Sequence, residues 1–260
     1  MASFLHTLGR ELAGAGRECL DAVYPLRCRL CGAAAEDGVA CAEHVIPCAP
    51  PGPRCGRCAA GLPPAIVDGE RCAGCRIHAP AFTRVVALAD WGLQPRIRPW
   101  ILAFKHGGRR DLARPLARAL GQRLAADELA DCVWVSVPLH PLRRLERGYD
   151  QAALLANELQ RVSGVPALRL MARTRATAVQ GEPGSVSRAA NVRDAFRGRR
   201  RAARQLSGRA VWIVDDVVTS GSTASECAKI LRRLGAARVG VACLARAGGD
   251  KPASVSPSHV

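Results

Sequence analysis

The stretch VWIVDDVVTSGSTASECAKIL, residues 211–231, limits what this chain can fold into more than any other. An apolar run ends in two adjacent carboxylates, passes through a turn of small residues and enters a helix. Val211 to Val214 read as a buried strand with Asp215 and Asp216 at its end. In open α/β sheets ligands bind at the carboxyl ends of strands, where loops meet helix N-termini. Thr219, Ser220, Gly221, Ser222 and Thr223 form a turn whose N–H groups and hydroxyls can surround a phosphate, helped by the positive end of the helix. A Cβ at position 221 would obstruct the turn or the anion. Carboxylates repel a phosphate, so the two acids must face another part of the same ligand. The vicinal hydroxyls of a ribose suit them, because carboxylates are strong acceptors for O–H donors. A ribose 5-phosphate unit accounts for both halves. A nucleotide-hydrolysing Walker pair does not, since no G-x-x-x-x-G-K-[ST] occurs in the chain.

The rest of the C-terminal two thirds supports the same architecture. RVVALADW, CVWVSVP and ARVGVACLAR read as strands, and QPRIRPWILAFK, ARPLARALGQRLA and YDQAALLANELQRVSG as helices. Alternating strands and helices predict a parallel sheet covered on both faces, over residues 83–247. Apolar content of 48% permits a real core, filled by Leu, Val, Ala and Ile because aromatics make up only 4%. The polar stretch RTRATAVQGEPGSVSRAANVRDAF is long for a loop in a compact domain. A disordered tail is expected at 248–260.

Nine of the twelve cysteines precede residue 76, and residues 25–82 read as a small metal-held module behind an amphipathic helix at 1–24. Cys28-x2-Cys31 is followed by Cys41-x2-His44, and Cys55-x2-Cys58 by Cys72-x2-Cys75. Two such knuckles complete a tetrahedron, so two structural zinc ions are expected. His44 keeps the knuckle spacing, although Cys48 is the alternative fourth ligand of the first set. An interleaved pairing of the knuckles also stays open.

The formal charge of +16 favours polyanionic partners. Of 38 basic residues only Lys105, Lys229 and Lys251 are lysines, a bias that composition alone can produce. RGRRRAARQLSGR, residues 197–209, carries six arginines and no acid, and Arg199, Arg200 and Arg201 are candidates to track a single-stranded nucleic-acid backbone. No signal peptide or membrane span is read from the chain, and a cytoplasmic location with reduced thiols is expected.

Taken together, PLRCRLCG, the second cysteine set, ILAFKHGGRRDLARPLA, VPLHPLRRLERGYDQAALLA, Thr177 and Gln180, Arg188 and Asn191, Phe196, and VDDVVTSGST resemble, in that order, the ComF family. This is a competence-associated family with a type I phosphoribosyltransferase-like domain and an N-terminal double zinc ribbon. The resemblance implies that Asp215 and Asp216 hold the ribose diol of phosphoribosyl pyrophosphate and that Thr219 to Thr223 cradle its 5-phosphate. It places Leu139, His140 and Arg143 in the pyrophosphate loop, with Arg144 or Arg147 as further candidates, and makes residues 173–193 a flap. It further implies Mg²⁺ bound with the ligand, and transfer of phosphoribosyl to an unidentified acceptor with release of pyrophosphate. The alternative is a non-catalytic single-stranded DNA-binding protein of natural transformation, with phosphoribosyl pyrophosphate as regulatory ligand and other competence proteins, such as a helicase, as partners. Purine phosphoribosyltransferases carry an acid where this chain has Thr219, which weakens the case for a purine acceptor.

Overall fold

The computed structural model describes residues 25–174, 194–199 and 202–248. The expected N-terminal helix, most of the flap with Thr177, Gln180, Arg188 and Asn191, the pair Arg200 and Arg201, and the C-terminal tail lie outside the described residues. The chain divides into two compact units, Met1–Ile46 and Pro47–Val260. The two cysteine sets therefore fall in different units.

Each unit opens its metal-ligand set with the same local structure. Cys28 N donates to Ala33 O at 2.7 Å and Cys55 N to Ala60 O at 2.8 Å, closing the turn after each C-x2-C. A short 3-10 turn, Ala42–His44, follows Cys41, and helix α1, Ala73–Ile77, follows Cys72. The C-x2-C spacing does this work, because it folds back one tight turn and leaves both sulfurs on its inner side.

The second unit contains a five-stranded parallel sheet of order β1-β7-β6-β2-β3. Its strands are β1 (Arg84–Asp90), β2 (Cys132–Ser136), β3 (Ala167–Leu168), β6 (Ala210–Val218) and β7 (Arg238–Arg246). The connecting helices are α2 (Ile97–His106), α3 (Ala113–Gly121), α4 (Ala126–Leu129), α5 (Pro141–Arg147), α6 (Gln151–Ser163), α7 (Ala202–Leu206) and α8 (Ser222–Arg233). Strands β4 (Met171–Arg173) and β5 (Phe196–Gly198) pair antiparallel outside the main sheet. Strand burial is nearly continuous along β1, β2 and β7, as a sheet covered on both faces requires.

Alternate strand residues take opposite faces. Val211, Ile213, Val239, Val241 and Cys243 pack with Ala224, Cys227, Ala228 and Leu231 of α8. Helices α3 and α6 pack against each other and against the strands, and Trp134 Nε1 donates to Ser163 Oγ at the end of α6, 3.1 Å away. Trp212 on β6 lies beside Gly240 of β7, where a Cβ would stand 2.6 Å from the indole ring. The small residue therefore makes room for the large one. Among the described residues no helix is long and apolar enough to cross a membrane.

The sequence placed the two acids at the end of their strand. The structure corrects this, because β6 continues through Asp215 and Asp216 to Val218, pairing Asp215 with Cys243 and Val218 with Arg246. The run IVDDVV keeps enough branched apolar residues to hold extended backbone beside β7. Likewise Ser222 and Thr223 belong to the first turn of α8 and not to a separate loop.

Candidate functional site

Strand order fixes where a ligand can enter. From β2 the chain runs outward to β3, and from the adjacent β6 it runs to β7 on the other side. The carboxyl ends of β2 and β6 are thus the switch point of the sheet, where a crevice opens. The loop into α5 and the turn into α8 border it.

The two acids of β6 have separate surroundings, as adjacent strand residues should. Asp216 Oδ2 is 2.9 Å from Lys105 Nζ at the end of α2. Asp215 lies on the α8 side, where its charge acts on Arg173 and on the thiols of Cys227 and Cys243. Burial, then the neighbouring Asp216, pushes Asp215 up to about 7, against the opposing pull of Lys105. Asp215 nevertheless keeps some solvent exposure.

Gly221 ends the turn with φ +77° and serves as N-cap of α8, where no side chain caps the helix. A Cβ there would stand 3.3 Å from the Phe82 ring, so glycine meets both a backbone and a space requirement. Ser220 Oγ and Ser222 Oγ are 2.9 Å apart, leaving hydroxyls and first-turn amides at one spot.

Beside the Lys105–Asp216 pair lies a cleft of about 340 Å³ lined by Lys105, His106, Gly108, Arg143, Glu146 and Arg147. The turn RGYDQ builds its wall. Tyr149 Oη donates to Phe104 O, Gln151 Nε2 donates to Lys105 O at 3.2 Å, and Arg147 NH1 donates to Gln151 Oε1 at 3.3 Å. These bonds hold the end of α2 so that Lys105 reaches β6. Burial, then the cations Arg147 and Lys105, lowers His106 below its ordinary value. Lys105, Arg143 and Arg147 outnumber Glu146 in the lining, so the cleft is net cationic.

Of the expected pyrophosphate-loop residues, Arg143 lines this cleft. His140 is instead the N-cap of α5, its Nδ1 accepting from Leu142 N at 3.4 Å, and Leu139 is part-buried outside the lining. Lys105 and His106 from the end of α2 and Arg147 from α5 join the lining, and Arg173 of β4 lies near Asp215. Sequence reasoning gave Lys105 and His106 no role, although a single lysine in an arginine-rich segment was a usable signal. Arg199 is exposed, its Nε donating to Met171 O at 3.4 Å. Downstream, the arginine segment is not a plain connector, because Ala202 and Leu206 of α7 are buried.

Among the described residues, two groups could hold a metal ion: Cys28, Cys31, Cys41 and His44, and Cys55, Cys58, Cys72 and Cys75. The ligand atoms within each group lie within 4.8 Å of one another. The knuckles therefore pair in sequence order, and Cys48 belongs to neither group. Cys31 Sγ to Cys41 Sγ and Cys58 Sγ to Cys72 Sγ both measure 3.7 Å. That is close to the edge of about 3.8 Å expected for a tetrahedron of 2.3 Å zinc–sulfur bonds and far from a disulfide. His44 turns Nδ1 toward Cys41 Sγ at 3.4 Å and Cys28 Sγ at 3.7 Å. In the second group burial opposes ionisation, yet the amides of Cys58, Cys72 and Arg57 bring Cys55 down to about 6. Cys75 is pushed up by burial and by the neighbouring thiols. Such a set cannot ionise fully without a cation at its centre, and both groups are compatible with zinc ribbons.

The phosphoribosyl transferase domain family matches residues 145–259. DNA utilization protein YhgH of Escherichia coli K12 is 36% identical over 201 residues, covering 75% of this chain and 83% of that protein. Competence protein F of Haemophilus influenzae is 31% identical over 202 residues, covering 75% and 85% respectively. Among solved structures, one titled as the allosteric regulatory enzyme of purine biosynthesis aligns with TM-score 0.38 and 20% identity, over 55% of this chain and 30% of that one. Identity above 30% across most of both chains, on a parallel sheet whose central strand carries an acid pair and which is preceded by two cysteine sets, places the chain in the ComF family of competence protein F and DNA utilization protein YhgH.

Proposed function

We propose that this protein binds phosphoribosyl pyrophosphate at the carboxyl end of its sheet and transfers the phosphoribosyl group to an acceptor. The observation that carries the reading is the Asp215–Asp216 pair set between the α8 turn and the cationic cleft, with Lys105 2.9 Å from Asp216. In this reading the first-turn amides of α8 and the hydroxyls of Thr219, Ser220, Ser222 and Thr223 hold the 5-phosphate. Asp215 and Asp216 accept from the ribose hydroxyls. Lys105, Arg143 and Arg147 face the pyrophosphate and take up charge as it leaves. The bond from the anomeric carbon to the pyrophosphate oxygen breaks with its electron pair on oxygen, and the acceptor's lone pair forms the new bond. The sugar has oxocarbenium character between these events, as in glycoside cleavage. Asp215 and Asp216 would help to hold Mg²⁺, which would neutralise charge on the leaving group when bound. Zinc in the two cysteine groups would be structural, since four protein ligands leave no open position.

Calorimetry with phosphoribosyl pyrophosphate and Mg²⁺ tests binding, which the double variant Asp215→Ala, Asp216→Ala should abolish. Unchanged affinity would refute the assignment. Pyrophosphate release across a panel of bases, with and without single-stranded DNA, then tests turnover.

A second reading makes the sugar-phosphate site regulatory and the protein a single-stranded DNA binder. Arg197, Arg199 and Arg204 are all exposed on one stretch of a strongly basic chain, and several relatives bear DNA-utilization names. Filter binding should weaken steeply as salt rises and fall when Arg199, Arg200 and Arg201 are neutralised. No retention at low salt would end that reading.

A further inference from the structure

The α8 turn does not stand alone at the mouth of the sheet. Arg246, the last residue of β7, is buried to 7% exposure. Its Nε donates to the carbonyl of Cys58 at 2.8 Å, and Cys58 is a ligand of the second metal group. Its NH1 is shared among the carbonyls of Val218 at 3.3 Å, Thr219 and Ala247. One guanidinium therefore bridges a cysteine knuckle and the first residue of the phosphate turn.

A second route joins the same two places. Arg57, inside the knuckle, donates through Nε to Phe82 O at 3.0 Å and through NH2 to Pro80 O at 2.7 Å. The Phe82 ring lies against Gly221, and Ser225 Oγ in the first turn of α8 accepts from Ala81 N at 3.0 Å. Arg54, on the knuckle's other flank, pairs with Asp90 at the end of β1 at 2.6 Å. Three arginines of one chain thus spend their donors on tying the knuckle to the end of β1, to the segment that leads into it and to the phosphate turn. A buried guanidinium with four backbone acceptors is costly to place unless those acceptors are fixed.

We propose that Arg246 is a positioning residue that makes the α8 turn an extension of the second cysteine knuckle, so that the turn's affinity for a sugar phosphate depends on the knuckle being closed around its metal. The knuckle fixes the Cys58 carbonyl, Arg246 carries that position to Thr219, and the turn holds its amides in the anion-binding arrangement. This inference rests on the turn being the phosphate site. It also predicts the reverse effect, since coupling between two sites is reciprocal.

The test uses the full chain with zinc bound, and ribose 5-phosphate and inorganic pyrophosphate as separate probes. Arg246→Met should lose about tenfold or more in affinity for ribose 5-phosphate while keeping pyrophosphate affinity within about twofold, because the cleft does not use the turn. A merely structural role would weaken both alike, and unchanged ribose 5-phosphate affinity would overturn the proposal. In the wild-type protein, saturating ribose 5-phosphate should tighten zinc binding in equilibrium competition with a chromophoric chelator, and no change would also overturn it. Should Arg246→Met fail to fold, hydrogen exchange decides without it. The amides of residues 219–223 should exchange about tenfold faster in Cys75→Ser than in the wild type, with β2 unaffected. Equal rates overturn the coupling. Absence of ribose 5-phosphate binding in the wild type, with exchange still coupled, would instead overturn the phosphate-site reading alone.

Discussion

Lys105 Nζ lies 2.9 Å from Asp216 Oδ2, joining the end of α2 to the middle strand of the sheet. This pair separates the two acids of β6 chemically: Asp216 has a cation at hydrogen-bond distance, whereas Asp215 looks toward the α8 side. Lys105→Met should weaken pyrophosphate and phosphoribosyl pyrophosphate binding by about tenfold or more, the loss expected for one charge-assisted contact. Ribose 5-phosphate should be affected less. Calorimetry with the three ligands measures the difference.

Asp215 carries a linked effect on stability. Its folded value of about 7 lies above its ordinary 3.8, so the folded state holds the proton more tightly. This contribution is fully present below about pH 4 and is lost as pH rises through 7. Asp215→Asn should therefore leave ligand-free stability unchanged near pH 4 and raise it at pH 8. A gain on the order of 1–3 kcal/mol is expected after allowing for the residue's partial exposure. Thermal melts at the two pH values check it, and a loss of stability at pH 8 would contradict it.

His106 is held below its ordinary value by burial and by Arg147 and Lys105. An anion in the cleft offsets those cations, so binding should draw a proton onto the imidazole. Pyrophosphate titrations at pH 6.5 should then show heats that differ between buffers of high and low ionisation enthalpy. His106→Gln should reduce the difference, leaving only the proton exchange of pyrophosphate itself.

Metal content separates the ligands of the first group. Elemental analysis should return two zinc ions for the wild type, two for Cys48→Ala and one for His44→Ala. Two ions in His44→Ala would remove the histidine from the set.

The Trp212–Gly240 fit concerns stability alone. Gly240→Val would drive a side chain into an indole whose nearest atom is 2.6 Å from a bare Cβ. Overpacking of this kind costs about 1–3 kcal/mol. Denaturant unfolding should register that loss with ligand affinity unchanged.

By itself the sequence determined the strands and helices around the acid pair, the glycine of the turn and the C-x2-C knuckles. Each of these is set by neighbours along the chain: apolar periodicity, one backbone angle, one ligand spacing. Only the tertiary structure decided that β6 runs on through both acids, because its partner β7 supplies the hydrogen bonds that extend it. The same holds for contacts between distant segments. Lys105 meets Asp216, and Arg246 meets Cys58 across 188 residues, because of the strand order. That order comes from which faces can be buried together, a property of the whole packed sheet that no single stretch of residues encodes.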